Sequence, residues 1–232
     1  MQTNHEKIII LVMTILLLIS MAMLGKEVAL YTTSEKMIET KQPTVVIDPG
    51  HGAADSGKVG IDGSLEKDIN LAIAMKVKMF LEAADVTVIM TREDDMGLYP
   101  ESGDNKKVQD MKNRVSLINS SGADLTVSIH QNSYTDESVQ GVQVFYYDGS
   151  EEGETLAGIL QEQLITTLNP SKEREIKAND SYYLLTETNT PIAIVECGFL
   201  SNYEDAENLN DPWYQEKVAW GISMGILRYL KG

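Results

Sequence analysis

Three short apolar runs, each delivering a polar residue, punctuate this chain. Residues 44–47 (Thr44-Val45-Val46-Ile47) are β-prone and lie between Pro43 and Pro49-Gly50, so they read as a buried strand with His51 just past its end. Residues 124–129 repeat the grammar and deliver His130; residues 191–195 repeat it again and deliver Glu196. Helical patterns lie between and after them. Residues 64–83 carry Ser64 as a cap, Glu66 in the first turn, and Leu71, Ala74, Met75, Lys78, Met79 and Glu82 along one face. Residues 110–120 turn Met111, Val115, Leu117 and Ile118 inward, with Arg114 on or beside that face. Residues 154–168 form a helix stopped by Asn169-Pro170, and Asp211-Pro212 opens a terminal helix running through Leu230. Further strands are expected at residues 86–90, 142–147 and 182–185. Strand and helix alternating without internal repeats predict an α/β fold: a single domain with an open, mostly parallel sheet and helices on both faces. The carboxyl ends of such strands share one edge, where His51, His130 and Glu196 can converge from far apart in sequence.

An apolar segment precedes this domain. Residues 8–24 are 17 positions without charge, preceded by Lys7 and closed by Lys26-Glu27. That length is at the short end for a membrane span and long for a signal-peptide core, and Ser20-Met21-Ala22 offers a cleavage site. Residues 1–30 are therefore expected to be a signal or membrane-anchor segment, residues 31–42 a polar tether and residues 43–232 the catalytic domain. Cleaved or not, such a segment carries the domain behind it across the cytoplasmic membrane. Within the domain, residues 91–109 are acidic and long for an α/β connection, so they are expected to flank the cleft.

Composition narrows the chemistry. A formal charge of −16 repels a phosphate backbone, which excludes nucleic acid as partner. The single cysteine, Cys197, can form neither an internal disulfide nor a multi-cysteine metal site. Of three histidines, His5 lies in the N-terminal tail, and the other two both fall at strand ends. Two imidazoles and a carboxylate, with a fourth position left for water, make a catalytic zinc set. Glu66 is the first choice of carboxylate; Asp48 and Asp55 compete, and spacing does not exclude them. Glu196 would then serve as base toward the attacking water and as acid toward the departing nitrogen. A rival mechanism takes Cys197 as nucleophile and His130 as base. Strand alternation sends Glu196 and Cys197 to opposite sides, so one of them at most faces the site easily, and a cysteine among apolar neighbours is more often core. Arg92 and Arg114 are expected to hold substrate or order a loop, or else to pair internally with Asp94, Asp95 or Asp110.

Several stretches together carry a family resemblance. They are Val45-Val46-Ile47-Asp48-Pro49-Gly50-His51-Gly52, Glu66-Lys67-Asp68-Ile69-Asn70, Thr91-Arg92, Ser128-Ile129-His130-Gln131-Asn132 and Val195-Glu196-Cys197-Gly198-Phe199-Leu200-Ser201-Asn202. In this order they resemble the zinc-dependent N-acetylmuramoyl-L-alanine amidases of the Amidase_3 type, over residues 44–230. The resemblance implies one zinc per chain on His51, Glu66 and His130, with Glu196 as the catalytic glutamate. It also implies the reaction: cleavage of the amide between the lactyl group of N-acetylmuramic acid and L-alanine in peptidoglycan. Two departures matter. The chain shows none of the cell-wall-binding repeats of many relatives, and residues 131–142 are too short for the inhibitory helix that some insert. A bare domain after an apolar segment, with the Leu98-Tyr99-Pro100 loop, is similar to the germination-specific amidases of endospore formers. That layout implies spore cortex maturation, with muramic-δ-lactam formation in the intermembrane space of the developing spore. An inactive peptidoglycan-binding module and a zinc peptidase acting on another wall bond are the alternatives, although a binding module has no need of Glu196. Because wall hydrolysis must be confined in place or time, an activating or localising protein partner is expected beside the peptidoglycan strands.

Overall fold

The computed structural model describes residues 4–35, 42–99 and 104–232, without the side chains of residues 27–35. Two compact units result, residues 1–41 and 42–232. The first is a single helix, α1 (Asn4–Glu35), whose stretch Asn4–Lys26 is long and apolar enough to cross a membrane, with mean hydropathy 2.8 and none of it buried. Residues 31–35 of the expected tether are thus helical. Residues 36–41 lie outside the described residues, as do residues 100–103, which include Pro100 of the Leu98-Tyr99-Pro100 loop.

The second unit follows in the order β1 (Thr44–Pro49), α2 (Glu66–Glu82), β2 (Thr87–Met90), α3 (Lys106–Ser120), β3 (Leu125–Asn132), β4 (Gln143–Tyr147), α4 (Glu151–Leu168), β5 (Lys177–Asn179), α5 (Tyr183–Glu187), β6 (Ile192–Phe199), α6 (Tyr203–Asn210) and α7 (Pro212–Lys231). The sheet order is β2-β1-β3-β6-β4-β5, and every neighbouring pair is parallel except β4 with β6. This is the expected α/β architecture.

Side-chain parity along the central strands decides where the site can be. Val45, Ile47, Leu125, Val127, Ile129, Ala193, Val195 and Cys197 join one core with α2, α4 and α7. The intervening Val46, Ile192 and Ile194 join a smaller core with Ile118 of α3 and Leu184 and Leu185 of α5. Strand periodicity therefore puts Asp48, Ser128, His130 and Glu196 on the second face, and that face has the lighter cover.

Four expectations are corrected. The inward face of α2 is Ile69, Ile73, Ala74, Val77 and Leu81, while Met75 and Met79 are exposed, because α7 packs along the former stripe. Ser64 does not cap α2: its hydroxyl donates to Asp62 Oδ1 at 2.6 Å, and the N-cap position is Leu65. Residues 182–185 are not a strand but open α5. The Asn179 side chain accepts the Ser181 and Tyr182 amides at 2.9 and 2.8 Å, and the turn so made beats the β propensity of Tyr-Tyr-Leu-Leu. Finally, β3 and β6 run past their expected ends, so His130 and Glu196 lie within strands, as register partners of each other just before a bulge. Two elements had no sequence expectation: the edge strand β5 and α6, capped by the Asn202 side chain on Asp205 N.

Candidate active site

His51 occupies an unusual piece of backbone. It has φ 61° and Ala53 φ 50°, left-handed values that cost a residue with a Cβ about 1–3 kcal/mol unless the surroundings impose them. Here two buried guanidiniums do so. Arg92 donates to the carbonyls of Pro49 and Gly50, both at 3.0 Å, and to that of Lys67 at 2.8 Å. Arg114 donates to the carbonyls of Pro49 at 2.8 Å and His51 at 2.7 Å. Three consecutive carbonyls are thereby held from outside the loop. The expectation that these arginines order a loop matches this geometry, and the ion-pair alternative holds for Arg114, which meets Asp48 and Asp110 at 2.6 Å each. Arg92 contacts Asp94 only through its carbonyl. Asp48 also accepts from the Thr91 and Ser128 hydroxyls, at 2.6 Å each. Burial would raise its pKa, but Arg114 and these hydroxyls hold it down at about 2.

The described part of the 91–109 connection packs on this loop, as expected of a segment flanking the cleft. Asp95 accepts from Ala53 N at 2.8 Å and from Lys67 Nζ at 2.7 Å.

His51, Glu66 and His130 converge. Each offers one ligand atom, and the three atoms lie within 4.8 Å of one another. Glu66 Oε1 faces His51 Nε2 at 3.2 Å and His130 Nδ1 at 2.9 Å, and the two rings stand edge to face, 5.0 Å between centroids. Small residues make this approach possible: a Cβ on Gly50 would meet His130 Cε1 at 2.2 Å, and one on Gly57 would meet Glu66 Oε2 at 2.5 Å. Glu66 opens α2, and its carboxylate also accepts the Lys58 amide at 2.7 Å and the Gln131 amide at 3.1 Å. Burial would raise Glu66, yet the two imidazoles hold it well below the usual carboxylate range; Glu66 in turn raises His130 against the effect of burial. The two competing carboxylates fall elsewhere. Asp48 is engaged with Arg114, while Asp55 accepts from His51 Nδ1 at 3.0 Å, orienting the ring from behind.

Glu196 lines the same cavity of about 520 Å³ as these three residues, with Tyr182 and Met111 on its walls. It is 7% exposed, and its Oε2 is buried without a hydrogen-bond partner among the described residues. Burial, opposed by His130 and reinforced by Glu66, pushes its carboxyl up to about 7. Cys197 points the other way into the core, where burial raises its thiol far above the range of a reactive cysteine. Sequence reasoning missed Tyr182 as a cavity wall because it placed that residue in a strand. It also missed Lys107, which reaches Asp55 at 3.2 Å from the first turn of α3.

The Amidase_3 family profile, described as N-acetylmuramoyl-L-alanine amidase, matches residues 45–228. The chain belongs to this family. The amidase is 42% identical, over 188 residues, to the germination-specific N-acetylmuramoyl-L-alanine amidase of Bacillus subtilis, covering 80% of this chain and 78% of the relative. Its structure resembles the CwlD amidase from Clostridioides difficile in complex with the GerS lipoprotein, with TM-score 0.79, 39% identity, and 82% and 99% of the two chains covered. It also resembles the amidase AmiC2 of Nostoc punctiforme, with TM-score 0.73, 34% identity, and 82% and 98% coverage.

The clamp carries a pH dependence. Because Asp48 titrates near 2 when folded and near 3.8 otherwise, the unfolded chain binds more protons between those values. This contribution to stability is thus complete above about pH 4 and is lost as pH falls through about 2. Asp48→Asn should cost about 3–5 kcal/mol near neutral pH, since Arg114 keeps a buried charge with less to oppose it. The variant should also flatten the acid limb. Urea unfolding at neutral pH and near pH 3 measures both effects, and equal stability of the two proteins at neutral pH would remove Asp48 from the clamp.

Proposed function

We propose that this amidase uses one zinc ion, held by His51, Glu66 and His130, to hydrolyse the bond between N-acetylmuramic acid and L-alanine in peptidoglycan. One observation carries the reading most: Glu196, whose Oε2 has no hydrogen-bond partner among the described residues, lines the same cavity as two imidazoles and a carboxylate whose ligand atoms already converge. The donor set is that of catalytic zinc sites, and the glycines that admit the rings leave no side chain to fill the gap. Bound there, zinc supplies Lewis acidity for the scissile carbonyl and for a water molecule.

The protein's own groups supply the rest. Asp55 fixes the His51 ring through Nδ1, leaving Nε2 toward Glu66. Glu196 takes the proton of the attacking water on its free oxygen and returns it to the alanine nitrogen, which leaves poorly as an anion. A carboxyl whose pKa lies near neutrality is suited to both transfers. Tyr182 and Met111 form part of the cavity wall beside Glu196.

The assignment to spore cortex maturation, through muramic-δ-lactam formation, is supported by the similarity to a germination-specific relative. The domain boundaries proposed are 1–30 for a signal or anchor segment, 31–42 for a tether and 43–232 for the catalytic domain, and Asn4–Lys26 suits the first of these. On this reading the domain works outside the cytoplasmic membrane, in the intermembrane space of the developing spore. A protein partner is part of the proposal, and the C. difficile neighbour in complex with a lipoprotein supports it.

Digestion of purified peptidoglycan followed by mass spectrometry tests the reaction: free muramic lactyl carboxylate with amino-terminal L-alanine is expected, and a different pair of new ends overturns it. Glu196→Gln should retain zinc and thermal stability while kcat falls at least about 10²-fold. His130→Ala and Glu66→Gln should instead lose metal in elemental analysis of folded protein. Turnover abolished by Cys197→Ser, with chelators inert, would favour the rival mechanism. For topology, a reporter active only outside the cytoplasm should work when fused after Gln42 and fall silent when residues 8–24 are deleted; activity of a cytoplasmic reporter at that joint would sink the proposal.

A further inference from the structure

Asn70 is fully buried in the second turn of α2, where a short amide is a poor helix former and its burial costs free energy unless every polar atom finds a partner. It stands one turn beyond Glu66, so both side chains leave the same face of the helix. Its Nδ2 donates to the Gly50 carbonyl at 3.1 Å and lies 3.5 Å from Glu66 Oε1, the limit of a hydrogen bond. Its Oδ1 accepts from Gln131 Nε2 at 3.1 Å. The backbone amide of Gln131 in turn donates to the same Glu66 oxygen.

The orientation of both amides follows from one fact. A carbonyl such as that of Gly50 can only accept, so Asn70 must present its NH₂ there and its oxygen to Gln131. Gln131 must then present its own NH₂, which leaves its Oε1 buried without a hydrogen-bond partner.

We infer that Asn70 is a positioning residue for the metal site, setting the spacing of His51, Glu66 and His130 before any ion arrives. A single amide touches the residue preceding His51, the carboxylate of Glu66 and the residue following His130. The three ligands come from a loop, a helix start and a strand, and apart from the ligand Glu66 itself no other described side chain hydrogen-bonds to all three segments. Asn70 touches no reacting atom and acts through the ligands.

This inference rests on the zinc assignment above, and the test separates the two. Zinc affinity of the apo-protein is measured by competition with a chromogenic chelator, well below each protein's unfolding temperature, alongside its thermal unfolding. Asn70→Ala should weaken zinc binding about 10–100-fold in a folded protein. Val77→Ala, which trims the buried face of the same helix two turns on, should lower the unfolding temperature and leave the zinc affinity within about twofold, because it touches none of the three segments. Gln131→Leu removes the second amide and should weaken zinc in the same direction; it decides the matter alone if Asn70→Ala does not fold. Unchanged zinc affinity in folded Asn70→Ala, or in folded Gln131→Leu where the first does not fold, overturns the role. Equal losses in Asn70→Ala and Val77→Ala at matched stability also overturn it. Failure of the unmodified protein to bind zinc overturns the zinc assignment and the inference with it.

Discussion

Two guanidiniums gripping three consecutive backbone carbonyls are the contact on which the site depends. The chain after β1 must stop pairing, reverse and present an imidazole in a left-handed conformation, which is unfavourable for a histidine on local grounds. In that conformation Arg92 and Arg114 satisfy the carbonyls of Pro49, Gly50 and His51 away from water. Asp48 and Asp110 balance Arg114, and Asp95 ties Lys67 and Ala53 across the loop. An acidic protein thus uses buried cations for loop shape, and neither guanidinium pairs with Glu66 or Glu196.

The sheet sets the other half of the geometry. In parallel strands the register partner of His130 is Glu196, so the two leave the same face side by side without any loop to place them. That face is covered by α3 and the short α5, whereas the opposite face carries α2, α4 and α7. A cavity forms where cover is thin and strand ends are polar, the usual position of ligand sites in open α/β sheets. Gln131, of opposite parity to His130, points through to the α2 side and meets Asn70 there. Alternation along β3 therefore sends one residue to the cavity and the next to the support beneath it.

Much of this is legible in the residues alone. Apolar runs bounded by Pro and Gly locate the central strands, and period-two alternation separates Glu196 from Cys197. Other features leave no local trace. Residues 69–82 carry two apolar stripes, and only the packing of α7 tells Ile73 and Val77 from Met75 and Met79. Arginine donation to backbone carbonyls has no sequence pattern, because any peptide unit can accept. Asn70 is visible as part of a motif, but its partners lie 20 and 61 positions away. Tyr182 is lost to a propensity rule that a side-chain turn at Asn179 overrides.

The bare oxygen of Glu196 has a meaning for how this molecule can change. A buried carboxylate with an unmet acceptor is a penalty in the folded state of about 1–3 kcal/mol, a sizeable share of a typical domain's margin. Apolar substitutions that fill the position recover some of it, whereas glutamine keeps a buried polar group there, so selection for robustness pushes toward apolar residues and, on the proposed role of Glu196, only the need to move protons pushes back. On that proposed role the scaffold is less stable than its own packing permits, and a stabilised descendant of this enzyme would be most easily reached by losing its chemistry first.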